Sequence, residues 1–106
     1  LAGLQGKGKL LSQREYETLH TIHVRTNLRE MYPHMNIDRE AMFGHGWGIA
    51  EKEYGNLSSA AGSGGTFFAQ IYVYPALNFA FVAFTNCGNG APALRDIYQK
   101  VTGLDF

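Results

Sequence analysis

Residues Ala60-Ala61-Gly62-Ser63-Gly64-Gly65-Thr66, followed by Phe67 to Val73 and by Phe79 to Asn86, decide the reading of the fold. A run of Ala, Gly and Ser ahead of two apolar segments reads as a small-residue strand entry. Such a run suits a backbone that packs tightly or approaches a ligand closely. Thr66 to Tyr74 alternates as a strand: Phe67, Ala69, Ile71 and Val73 on one side, Phe68, Gln70, Tyr72 and Tyr74 on the other. Pro75-Ala76-Leu77-Asn78 reads as a hairpin connection, because Pro presets φ and Asn tolerates the left-handed region. Phe79 to Thr85 is apolar on both faces and reads as a central strand covered by a helix.

Working outward, Trp47 to Tyr54 alternates as a third strand, and Gly55 to Ser59 reads as a turn. Downstream, Cys87 to Gly90 is a loop and Pro92 suits a first helical turn. Leu94, Ile97, Tyr98 and Val101 follow at helical spacing, and Gly103 closes the helix. Upstream, Leu1 to Leu4 reads as a helix end followed by a glycine-rich loop to Leu11. Ser12-Gln13-Arg14-Glu15 then fits a capping box, opening a helix that stops between His20 and Val24. Between Asn27 and Ala41 the sequence leaves a choice. Leu28 to Tyr32 suits one helical turn stopped by Pro33, and Asn36 to Glu40 reads as loop. The expected architecture is α+β: a three-stranded antiparallel sheet, a C-terminal helix packed on it and an N-terminal helical segment, in one unit over residues 1–106.

Composition narrows the function. Nine basic and nine acidic residues cancel, which does not suit a nucleic-acid surface. The aromatic residues lack basic neighbours and read as core rather than as base-stacking platforms. No segment approaches the roughly 18 apolar residues of a membrane span. The single thiol, Cys87, reads as a semi-buried residue at a strand end. His20 and His23, with His34 or His45, invite a metal reading, but no His-Glu-x-x-His pattern is present, so no metal and no cofactor are expected. Gly62-Ser63-Gly64-Gly65 leads into a strand rather than a helix and lacks the Gly-Lys-Ser/Thr of a phosphate loop.

Several motifs share an order. Leu1-Ala2-Gly3-Leu4, Leu11-Ser12, Leu19-His20-Thr21, Gly46-Trp47-Gly48, the fifteen-residue step from Ala60 to Pro75, and Phe84-Thr85-Asn86 follow one another along the chain. In that order and spacing the chain resembles the C-terminal end of the serine β-lactamase-like hydrolases, which include class C β-lactamases, DD-peptidases and esterases. The resemblance implies a partial β-lactamase/transpeptidase-like fold. It places the family's third active-site motif, Lys-Thr-Gly or His-x-Gly, at Ala60-Ala61-Gly62, with Ala60 where the family has a cation. It also implies that the backbone N–H of Ser63 completes an oxyanion hole, and that His45 and Trp47 sit at a pocket edge. The family's Ser-x-x-Lys and Tyr-x-Asn elements are absent, so the chain is expected to be inactive by itself. Starting at Leu1 as if in mid-element, it is expected to be a C-terminal segment of a larger domain, or else a stand-alone, non-catalytic binding module. Uncovered sheet and helix faces would favour a dimer, by element exchange, or the missing N-terminal part of the same domain.

Overall fold

The computed structural model describes residues 1 to 104. Its sheet has six strands, not three, each antiparallel to the next in chain order. They are β1 (Val24–Asn27), β2 (Glu40–Phe43), β3 (Gly48–Lys52), β4 (Gly55–Ser63), β5 (Phe68–Tyr74) and β6 (Phe79–Thr85). Helix α1 (Gln13–Leu19) precedes the sheet, α2 (Leu28–Met31) links β1 to β2, and α3 (Ala91–Thr102) follows β6.

Each correction to the sheet has a physical cause. β1 and β2 span four residues apiece, and Arg25, Thr26, Asn27 and Glu40 give them no apolar alternation. They are strands because each pairs with a neighbour: Arg25 lies opposite Met42, and Met42 lies opposite Ile49. The Arg25 guanidinium also reaches Glu40 at 3.4 Å and Glu51 at 2.8 Å. The supposed turn at Gly55 to Ser59 is the first half of β4. The chain reverses earlier, at Glu53-Tyr54, because Gly55 at φ 101° lets Lys52 and Gly55 close a two-residue hairpin. Among the described residues β6 is an edge strand rather than a central one: it pairs with β5 alone, and none of its residues is buried.

Other expectations hold. Ser12 caps α1 with the reciprocal Glu15 bonds of a capping box. Its N–H donates to the Glu15 carboxylate at 2.7 Å, which holds that carboxyl below its ordinary value. A helical turn at Leu28–Met31 stops before Pro33, which opens a short 3-10 helix, Pro33–Met35. Between β5 and β6, Pro75–Leu77 forms another 3-10 turn, and Asn78 adopts φ 52°. Pro92 opens α3, and Gly103 ends it at φ 68°. Leu1 to Leu4, by contrast, belongs to a series of turns, closed by the Lys7 N–H to Ala2 at 2.9 Å.

The core lies between the sheet and α3. Strand alternation puts Leu57, Tyr72, Tyr74, Phe79 and Phe81 on the same face. Leu57, Tyr74 and Tyr98 are its buried centre. Only Leu94 and Tyr98 of α3 are buried, whereas Ile97 and Val101 are exposed despite their apolar spacing. On the opposite face Ile49, Ser58 and Val73 are buried side by side across β3, β4 and β5. Farther along that face, Val82 and Phe84 are exposed.

Candidate functional site

Ala60 to Ser63 form the last part of β4, not the entry to the next strand. They pair with Ile71, Gln70, Ala69 and Phe68 of β5. Gly64 to Phe67 make the turn, with Gly65 at φ 86° and the Gly64 N–H donating to the Phe67 carbonyl at 3.2 Å. The Ser63 hydroxyl is engaged in this turn: it donates to the Phe67 carbonyl at 3.3 Å and accepts from the Gly65 N–H at 3.4 Å.

Pairing between β3 and β4 stops at Gly48 and Ser59. Ala60, Ala61, Gly62 and Ser63 therefore run past the end of β3. They are paired on the β5 side and have no strand on the other among the described residues. Ala61, Gly62 and Ser63 are exposed. A Cβ added at Gly62 would meet nothing within 4 Å, so this glycine faces open space. The stretch is an accessible length of strand edge bearing only small side chains.

His45 and Trp47 lie in the β2–β3 hairpin, just before the last β3–β4 pair, at the same end of the sheet. They are brought together with the end of α1. The His45 ring packs on His23 with centroids 4.3 Å apart, and the Trp47 ring on His20 at 4.7 Å. The His45 N–H donates to the Leu19 carbonyl at 3.0 Å, and His23 Nε2 lies 2.8 Å from the Thr18 carbonyl. Gly44 is required here, because a Cβ would come within 2.8 Å of the Thr21 carbonyl and closer still to that of Leu19.

His20 caps the C-terminal end of α1, and its Nδ1 is buried with no hydrogen-bond partner. Burial pushes its pKa below the ordinary 6.5. The neutral form is favoured in the folded state. The unfolded chain therefore binds the proton first as pH falls, and stability present above about 6.5 is lost as pH descends through the folded value. His20→Gln is expected to flatten that segment of the stability–pH curve. Trp47 is the only tryptophan, so its emission reports on the imidazole beside it. Quenching on acidification in the parent and none in the variant is the expected pattern.

A cleft of about 240 Å³ opens beside this cluster, lined by Leu4, Glu17, His20, Asn56, Pro75 and Ala76. Glu17 and Asn56 were not singled out in the sequence. The three-residue step from Glu17 to His20 along one helix was the available signal for the first; Asn56 carried none. A second cleft, of about 310 Å³, lies between α3 and β5 beside Gln70, Tyr72, Pro92 and Arg95.

The four serines are scattered. Ser12 caps α1, Ser63 holds a turn, Ser59 is paired with Tyr72, and Ser58 is fully buried with its hydroxyl unpartnered. His34 stands beside Tyr32, apart from the other histidines' ring contacts. Among the described residues no three His, Cys, Asp or Glu side chains are grouped to hold a metal ion, and no helix is long and apolar enough to cross a membrane. Cys87 is exposed rather than semi-buried. No family model, curated protein or solved structure matches the chain.

Proposed function

We propose that this chain is the C-terminal part of a serine β-lactamase-like hydrolase, catalytically incomplete by itself. The observation that carries the reading is the open edge of β4 at Ala60 to Ser63, beyond the end of β3. Its small side chains would let a substrate lie against the backbone, and a backbone N–H at Ser63 suits an acyl oxygen. The order of motifs from Gly46-Trp47-Gly48 through the Pro75 turn to Phe84-Thr85-Asn86 supports the same reading. The nucleophile and its base would come from a Ser-x-x-Lys and a Tyr-x-Asn outside residues 1–106. With Ala60 in place of a cation, a substrate carboxylate would have no ion-pair partner at this position. Neutral esters are then the favoured substrates.

The test has two arms. Reading the gene upstream of Leu1 is expected to give an in-frame extension carrying both missing elements. The longer product is expected to hydrolyse a p-nitrophenyl ester, while residues 1–106 hydrolyse neither that ester nor nitrocefin. Serine-dependent turnover by the 106-residue chain would overturn the claim that it is incomplete. A stop codon and a start signal directly before Leu1 would favour a second reading, a stand-alone binding module. That alternative draws on the cleft lined by Glu17, His20 and Asn56 among others.

A further inference from the structure

Two histidines meet at one end of the sheet. His23 stands between α1 and β1, and His45 lies in the β2–β3 hairpin. Their ring centres are 4.3 Å apart, and both residues are exposed. The backbone pins each residue to the other's neighbours. The His23 N–H donates to the Phe43 carbonyl at 2.8 Å, and the His45 N–H donates to the Leu19 carbonyl at 3.0 Å. The other two histidines stand apart from this pair: His34 lies beside Tyr32, and His20 turns its ring to Trp47 with Nδ1 buried.

The tautomer of His23 is set by its surroundings. Its Nε2 lies 2.8 Å from the Thr18 carbonyl. A carbonyl oxygen only accepts, so Nε2 carries the hydrogen and Nδ1 of the neutral ring keeps its lone pair. A backbone carbonyl that holds one ring N–H while the other nitrogen stays bare is the usual support of a metal-bound histidine.

The ring separation selects a geometry. With metal–nitrogen bonds of roughly 2.0–2.1 Å, two imidazoles at right angles on one ion have ring centres about 4.5 Å apart, and two at the tetrahedral angle about 5.2 Å. The observed 4.3 Å fits the first. Right-angled ligation suits copper(II) and nickel(II), and copper(II) binds nitrogen ligands the more tightly of the two.

We infer that His23, through Nδ1, and His45 form a two-imidazole site for a copper(II) ion. Water fills the remaining positions of the ion when nothing else does. No spacing in the sequence announces such a pair, because one ring follows a helix and the other sits in a hairpin. The His-Glu-x-x-His pattern marks only zinc sites built on a single helix. Every group the site uses lies between Thr18 and His45, so the pair is assembled whatever else the protein contains. The site is independent of the hydrolase reading.

Copper(II) chloride titrated into the 106-residue chain is expected to bind at one equivalent and to quench Trp47, two residues from His45. His23→Gln and His45→Gln, each with the parent's far-ultraviolet circular dichroism, are expected to weaken binding by more than about tenfold. That is the least that losing even a hydrogen-bond partner of a metal ligand costs. His34→Gln is expected to leave the affinity unchanged, and nickel(II) is expected to bind more tightly than zinc(II). Electron paramagnetic resonance of the copper-loaded parent reads the donor set without any substitution, and coupling to two imidazole nitrogens is expected. Absence of copper binding overturns the inference. So do coupling to fewer than two such nitrogens, an affinity untouched by His23→Gln or His45→Gln, and an equal loss in His34→Gln. Zinc(II) binding more tightly than nickel(II) overturns the right-angled geometry.

Discussion

Tyr98→Ala is expected to destabilise the protein by about 3–5 kcal/mol, the range for truncating a buried aromatic, and to release α3 from the sheet. Tyr98 is fully buried, and its ring contacts account for most of how α3 is held. It lies 4.8 Å from the Tyr72 ring and 5.4 Å from Phe81, edge-on to the latter, and it stacks over Tyr74. The Tyr74 and Tyr98 hydroxyls hydrogen-bond to each other in the buried core. Leu94 is the only other buried residue of α3 and cannot hold twelve helical residues alone. A total stability of about 5–15 kcal/mol leaves little margin against such a loss. Tyr98→Phe separates the two contributions. It keeps the ring and removes its hydroxyl from the buried pair, for an expected cost of about 1–3 kcal/mol. Urea unfolding of the parent and both variants checks the ordering. Equal losses for Phe and Ala would place the energy in the hydroxyl pair and contradict the packing argument.

The sequence made the C-terminal half of the fold legible wherever a local signal coincided with a tertiary one. α3 carries its start at Pro92, its stop at Gly103 and a buried pair at Leu94 and Tyr98. The β5–β6 connection carries Pro75 and Asn78, and both do what their backbone preferences dictate. The capping box at Ser12 is of the same kind. Failure came where strands are specified by their neighbours. Val24–Asn27 and Glu40–Phe43 have no pattern of their own, and they exist through pairing with each other and with β3. β6 misled in the opposite sense. An apolar run on both faces reads as central, yet among the described residues β6 pairs with β5 alone.

The candidate site divides the same way. His45 and Trp47 stood out because glycines isolate a ring-bearing stretch; the structure sets their rings on His23 and His20, and neither lines either of the two clefts. Ala60 to Ser63 were legible as a place where side chains are kept small, though they lie at the exit of β4 rather than at a strand entry. The Glu17–His20–Asn56 cleft was not legible. It is assembled from a helix, a hairpin strand, the N-terminal turn and the β5–β6 turn, which no spacing in the sequence relates.

Gly88→Ala and Gly62→Ala are expected to diverge sharply. At Gly88 a Cβ would lie 2.8 Å from the Gly65 carbonyl carbon and closer still to its oxygen. Neither partner can move cheaply. Gly65 is held at φ 86°, within the turn fastened by the Ser63 hydroxyl and the Gly64–Phe67 bond. The substitution must therefore push the β4–β5 turn away from the loop leading into α3. The expected cost is at the upper end of overpacking, about 3 kcal/mol, with faster hydrogen exchange at the amides of Ser63 to Phe68. Gly62 carries no positive φ and has no atom within reach of an added methyl, so its alanine variant is expected to stay within about 0.5 kcal/mol of the parent. That contrast separates two reasons for a glycine. At Gly88 the neighbouring backbone leaves no room, and the fold itself requires the residue. At Gly62 the fold has room to spare, so any functional loss on adding a methyl there reports on what approaches the β4 edge from outside. A Gly62→Ala variant as stable as the parent, whose longer in-frame product loses esterase turnover, would tie the open edge to substrate. Unchanged turnover in that product would leave Ala60 to Ser63 as a structural stretch and move the search for a ligand to the cleft beside His20.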